Sequence, residues 1–202
     1  MAFASTGFLI FLLIGVIVYY LIPKRFQWIW LLILSYYFYL CSGVKTLGLI
    51  ITTTVTTFLG GIILERIEEG RSAYFKAHKN EMAAEEKKLY KNKTKKYKRL
   101  ILVLVLVINF GMLAVIKYCG FAAENINALL SNVFHINVGL KRIDFLLPLG
   151  ISFYTFQSMG YIIDMYQGKY KADRNIFKFA LFVSYFPQIL QGPIGRYNRL
   201  AH

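Results

Sequence analysis

Charge is what this sequence lacks over most of its length. Only 17% of its 202 residues are charged, against roughly 25% in an ordinary soluble domain. Residues 3–22, 26–44, 46–64 and 100–116 contain no charge at all. A charge in hydrocarbon costs about 2.5–3.5 kcal/mol even on a lenient insertion scale. Long uncharged runs, in a chain that is 57% hydrophobic with a mean hydropathy of +0.49, are therefore the pattern of a membrane protein. Cysteine is nearly absent. Cys41 and Cys119 have no CxxC spacing, which argues against a metal site, and two unpaired thiols are preferred over a disulfide between them. The only histidines are His78, His135 and His202. None has a partner that spacing identifies, and no Ser/His/Asp set, Gly-rich phosphate loop or metal cluster is visible.

Acid is scarce relative to base, ten residues against 24, for a net charge of +14. That excess alone would suggest a nucleic-acid partner. The bases instead flank apolar runs, so no nucleic acid is expected. No base precedes the first apolar run and Lys24-Arg25 follow it, so it reads as a retained span rather than a cleaved leader.

About 20 mostly apolar residues cross the hydrocarbon core. Spans are expected over 3–22, 26–41, 44–64, 100–116, 147–164 and 176–190. The second ends in the aromatic cluster Tyr36, Tyr37, Phe38, Tyr39, which suits a headgroup interface. The third carries Thr52, Thr53, Thr54, Thr56 and Thr57, then Gly60-Gly61, residues that favour close helix packing. Residues 65–99 hold twelve bases and six acids and read as a basic cytosolic loop drawn to anionic lipid. Residues 121–134 place Ala122, Ile126, Leu129, Leu130, Val133 and Phe134 on one helical face and Glu124, Asn125, Asn127, Ser131 and Asn132 on the other. They read as an amphipathic helix lying along the outer surface. The expected fold is all-α and polytopic, with about six transmembrane helices plus this interfacial one. With 65–99 inside, the N-terminus lies outside and Lys24-Arg25, Lys169, Lys171 and Arg174 fall inside.

In the fifth span Tyr154, Gln157, Tyr161 and Asp164 lie within about 80° on a helical wheel. Such a stripe either lines an aqueous cavity or hydrogen-bonds a neighbouring helix. In the sixth, Pro187 predicts a broken or short helix.

The run Leu147-Pro148-Leu149-Gly150-Ile151-Ser152-Phe153-Tyr154-Thr155-Phe156-Gln157-Ser158, continuing to Asp164, resembles the membrane-bound O-acyltransferase family. So does Tyr185-Phe186-Pro187-Gln188-Ile189-Leu190-Gln191-Gly192-Pro193-Ile194-Gly195-Arg196. The closest branch is the alginate O-acetyltransferase type, which Ser35-Tyr36-Tyr37-Phe38-Tyr39 resembles more weakly. The resemblance implies tilted helices around a funnel. It implies an acyl group, acetyl in that branch, moved from cytosolic acetyl-CoA or an acylated carrier to a hydroxyl of an extracytoplasmic polysaccharide or cell-wall polymer. No cofactor is bound. An extracytoplasmic acyltransferase partner and a plasma-membrane location follow from the same branch. The family's essential histidine stands on a later helix, and His78, His135 and His202 match no such motif. The whole of 1–202 is thus expected to be the N-terminal part of one transmembrane domain, inactive alone, with no catalytic residue assigned. Tyr154, Gln157, Asp164 and Gln188 are the funnel-wall candidates; Pro148, Gly150, Pro187, Gly192 and Pro193 shape the backbone. A transporter or flippase, or a scaffold for an extracytoplasmic partner, fits the same broken helices and polar stripe.

Overall fold

A computed structural model describes residues 6–78, 83–134 and 150–191, apart from the side chains of 123, 128–134 and 189–191. Among the described residues all regular structure is helical: α1 (Thr6–Leu21), α2 (Gln27–Cys41), α3 (Val44–Ala77), α4 (Ala84–Phe134), α5 (Ile151–Tyr166), α6 (Ile176–Ser184) and α7 (Phe186–Gln191). The starts of the first three follow the uncharged runs closely. Pro23 ends the first run, and Gly43, at φ 125, supplies the backbone conformation that separates α2 from α3.

Among the described residues two helices, α3 and α4, are long and apolar enough to cross a membrane; α1 and α2 are shorter apolar helices. At 1.5 Å per residue α1, α2 and α5 reach about 22–24 Å and α6 about 14 Å. Among the described residues, α3 and α4 alone thus have the length of a full crossing.

Two boundaries differ from the sequence expectation. The basic segment 65–99 is mostly helix, because α3 continues to Ala77 and α4 begins at Ala84. Its Glu, Lys and Ala residues are good helix formers. The two extensions form an antiparallel hairpin closed by Tyr74 stacked on Tyr90, 4.4 Å between centroids at 11°. Residues 121–134, expected as a separate surface helix, continue α4 unbroken. No proline lies between 100 and 134, and an isolated glycine such as Gly111 or Gly120 weakens a helix without ending it. A change in composition is not a stop signal.

α3 is the central element, packing against α2, α4, α5 and α6. Its Thr46, Ile50, Thr53, Thr57, Gly60 and Leu64 are buried and recur at helical spacing, forming one stripe. A Cβ on Gly60 would stand 2.7 Å from Val105 Cγ2 and 3.2 Å from Ile162 Cδ1; one on Gly61 would meet the Tyr161 ring at 3.2 Å. The Asn109 amide ties α4 to α3, donating to Thr56 Oγ1 at 3.1 Å while also reaching the Val105 carbonyl at 2.9 Å. At the periphery, Trp30 Nε1 donates to the Gly15 carbonyl at 3.0 Å and joins α2 to α1.

Gly60→Val should destabilise the bundle by about 1–3 kcal/mol, the usual cost of forcing extra atoms into a packed core. Gly111→Ala, where an added Cβ meets nothing within 4 Å, should leave it unchanged or slightly more stable. Thermal unfolding of both variants in detergent micelles reads the difference.

Candidate functional site

The candidate site is built on α5 and the broken α6–α7 segment. Gly150, at φ 78, stands at the α5 N-cap in the left-handed region, which accounts for glycine in the Leu-Pro-Leu-Gly motif. α6 begins at Asn175, whose side-chain Oδ1 accepts from the backbone N–H of Phe177 at 3.0 Å and of Lys178 at 3.3 Å, an N-cap. Nine residues on, the helix stops at Tyr185 (ψ 97) and resumes at Phe186. Pro187 lies in the first turn of α7, where its missing N–H is tolerated. A continuous helix would need that N–H for the Val183 carbonyl, so the break precedes the proline instead of coinciding with it.

Each member of the expected polar stripe on α5 has a protein neighbour. Tyr154 is fully buried and meets Tyr39 edge-on, at 6.4 Å and 89°. Gln157, 2% exposed, donates from Nε2 to the Phe182 carbonyl at 3.0 Å. Phe182 lies in the last turn of α6, whose carbonyls have no helical donor once the helix has stopped. The Gln157 amide thus satisfies a group that the break exposes. Tyr161 packs on Phe179 at 4.8 Å, and its hydroxyl accepts from the Asp173 N–H at 3.3 Å. Asp164 is paired with Lys169 at 2.7 Å, at the end of α5. Gln188 is half-buried, and its backbone N–H reaches the Tyr185 carbonyl at 3.2 Å. Pro148, Gly192 and Pro193 lie outside the described residues, as do His135 and His202. The structure brings Gln157 and Tyr161 against α6 and its connector, while Asp164 stands apart at the helix end.

The interior around this stripe is unusually polar. The hydroxyls of Ser35, Tyr39, Thr53, Thr57, Tyr154, Thr155 and Ser158 are buried, with no hydrogen-bond partner among the described residues. They belong to α2, α3 and α5, which pack against one another through α3. Buried hydroxyls call for partners, so this interior has unused capacity to hold water or a hydroxylated ligand.

His78 ends α3 with its ring 4.6 Å from that of Tyr74. Cys41 and Cys119 are free thiols. No cluster of three or more metal-ligating side chains occurs among the described residues. Two features escaped the sequence reading. Asn109 is fully buried, and its signal was a single amide in the apolar run 100–116. The other is the ion pair of Lys98 with Glu68, at 3.0 Å, which spacing along one chain does not reveal.

No protein-family model matches the chain, and no solved structure matches it. Curated relatives do. Over all 202 residues it is 35% identical to "Probable alginate O-acetylase AlgI" of Pseudomonas syringae pv. tomato, covering 34% of that protein. It is 28% identical to the peptidoglycan O-acetyltransferase of Helicobacter pylori, over 98% of this chain and 36% of that one. Fifty-three residues are 47% identical to the teichoic acid D-alanyltransferase of Lacticaseibacillus rhamnosus, 26% of this chain and 13% of that one. The chain thus spans about a third of the length of the O-acetyltransferases it matches.

Replacing Gln157 by Leu should cost about 1–3 kcal/mol, because the buried hydrogen bond from Nε2 to the Phe182 carbonyl is lost. Gln157→Glu should be at least as damaging at neutral pH, where a carboxylate only accepts, and should recover as acid protonates it and restores a donor. Melting temperatures in detergent at pH 7.5 and pH 4.5, each against the unaltered chain, check both.

Proposed function

We propose that the chain is part of a membrane-bound O-acyltransferase, an enzyme that acylates a polymer outside the cytoplasm. An acetyl group passes from a cytosolic donor, acetyl-CoA or an acylated carrier, to a hydroxyl of a polysaccharide or cell-wall polymer. The observation that carries this reading is the similarity over all 202 residues to a named alginate O-acetylase. The names of the peptidoglycan and teichoic acid relatives support the same chemistry, acyl transfer to a cell-surface polymer. Residues 1–202 form one portion of a single transmembrane domain in the plasma membrane, with about six crossings, some made by short or broken helices packed on α3 and α4.

The orientation in this proposal has the N-terminus outside. It is supported by the way two basic segments lie at one end of the bundle. Lys98 pairs with Glu68, and Arg174 approaches Glu69 at 3.7 Å. The α3–α4 hairpin and the α5–α6 connector therefore share a face, as cytosolic retention of positive charge requires. Anionic lipid covers that face, and an extracytoplasmic acyltransferase is the partner on the other.

Within this portion, Tyr154, Gln157, Asp164 and Gln188 contribute to the funnel wall, chiefly by positioning. The buried hydroxyls between α2, α3 and α5 make that wall polar. The general base that takes the acceptor hydroxyl's proton is not among His78, His135 and His202, and this chain alone does not turn over. The purified 202-residue chain, given acetyl-CoA and a polysaccharide acceptor, should transfer no acetyl above a protein-free blank; robust transfer would overturn the assignment.

A further inference from the structure

The C-terminal end of α5 meets α3 and α4 where the basic hairpin leaves the apolar bundle. Between α3, α4 and the turn after α5 lies an open cleft of about 340 Å³. Four cations line it, Arg71, Lys91, Lys95 and Lys98, against one acid, Glu68. On α4 the three lysines follow an i, i+4, i+7 spacing and so share one face. Lys98 forms a fixed floor. It is 9% exposed, its ammonium donates to Glu68 Oε2 at 3.0 Å, and it sits 5.7 Å from the centroid of the Tyr166 ring. Glu68 is also engaged by Arg71, so the one acid is neutralised within the floor. Lys91 and Lys95 are exposed above it, with no ion-pair partner among the described residues. Their charge is unbalanced and directed at one opening.

The depth of the cleft identifies what would enter. The uncharged run of α3 ends at Leu64, and Glu68 and Arg71 follow it by about 6–10 Å along the helix. The uncharged run of α4 starts at Leu100, and Lys98, Lys95 and Lys91 precede it by about 3–14 Å. The headgroup layer extends roughly 5–8 Å beyond the hydrocarbon on each side. The floor of the cleft, at Lys98 and Glu68, therefore lies within the headgroup layer, with Lys95 at about its outer edge and Lys91 reaching back from just beyond it.

We propose that this cleft is a phosphate-binding site, filled by the headgroup of an anionic membrane lipid held between Lys91 and Lys95 over the Lys98–Glu68–Arg71 floor. The inference rests on the membrane placement proposed above and not on acyl transfer. It differs from diffuse attraction of a basic surface because it requires two particular lysines.

The test is native mass spectrometry of the full 202-residue chain in detergent. Phosphatidylglycerol is offered against phosphatidylcholine of equal chain length, with inorganic pyrophosphate as the soluble phosphate. The expected result is retention of phosphatidylglycerol over phosphatidylcholine. Lys91→Gln/Lys95→Gln should weaken it at least about tenfold, from roughly fivefold per lysine near an anionic surface. The matched pair Lys76→Gln/Lys96→Gln, exposed residues outside the cleft lining, should stay within about twofold. Equal loss in both double variants, or equal retention of the two lipids, overturns the site. Pyrophosphate that binds with the same dependence on Lys91 and Lys95 while lipid does not would keep the phosphate site and overturn the lipid as its source. Circular dichroism of both variants verifies that the helices persist. A chain without acetyl-transfer activity leaves each of these outcomes unchanged.

Discussion

Because Gly60 and Gly61 present no side chains, α3 can approach both α4 and α5 more closely than any larger residue would permit. The rest of the bundle depends on that approach. The Tyr161 ring settles over Gly61, which places its other side against Phe179 and its hydroxyl within reach of the Asp173 N–H. The connector and the start of α6 are thereby fixed relative to α5, and Gln157 then reaches the Phe182 carbonyl. In lipid there is little hydrophobic drive between helices, since acyl chains are as apolar as leucine. Small residues that allow tight packing and polar side chains that bridge helices supply the association instead. Both devices recur here: Gly60 with Val105, Gly15 with Leu34, Asn109 with Thr56, and Trp30 with the Gly15 carbonyl.

The same constraint explains why a broken helix is tolerated. Backbone groups freed in an apolar setting must be satisfied by protein or by a water-lined cavity. The break at Tyr185 frees carbonyls on α6, and the neighbouring helix carries an amide at the matching height. Around that point lie the hydroxyls of Tyr154, Thr155 and Ser158 on α5 and of Ser184 on α6, buried and without partners among the described residues. An irregular backbone, a compensating amide and a polar lining thus occur together in the segment where the resemblance to acyltransferases is strongest.

Much of this was legible in the sequence, for identifiable reasons. Uncharged runs bounded by Lys, Arg or proline gave α1, α2 and the beginning of α3, because the cost of burying charge is large and local. Pro187 gave the break to within two residues. What was misread turned on helix ends within polar or amphipathic segments. Hydropathy falls after Leu64 and after Ile116, yet neither place carries a proline or a capping residue, so α3 and α4 continue. The stripe on α5 was visible, but whether it faced solvent or α6 depended on a partner 25 positions away. Asn109 and the Lys98–Glu68 pair were invisible for the same reason: their meaning lies in the helix opposite.

The unbroken passage of α3 and α4 from the bundle into the basic hairpin has a mechanical consequence. From Leu64 to Ala77 and from Ala84 to Arg99 the two helices project about 20 and 24 Å past their apolar runs. They are braced against each other by the stacked Tyr74 and Tyr90 rings near the tip and by Lys98 with Glu68 near the base. No proline interrupts either helix, so neither has an obvious hinge where the projection meets the spans. Force applied near the tip is therefore carried into the bundle as tilt of α3, at the level where Gly60 and Gly61 set the spacing to α4 and α5. The projection behaves as a lever whose short arm lies in the packed core.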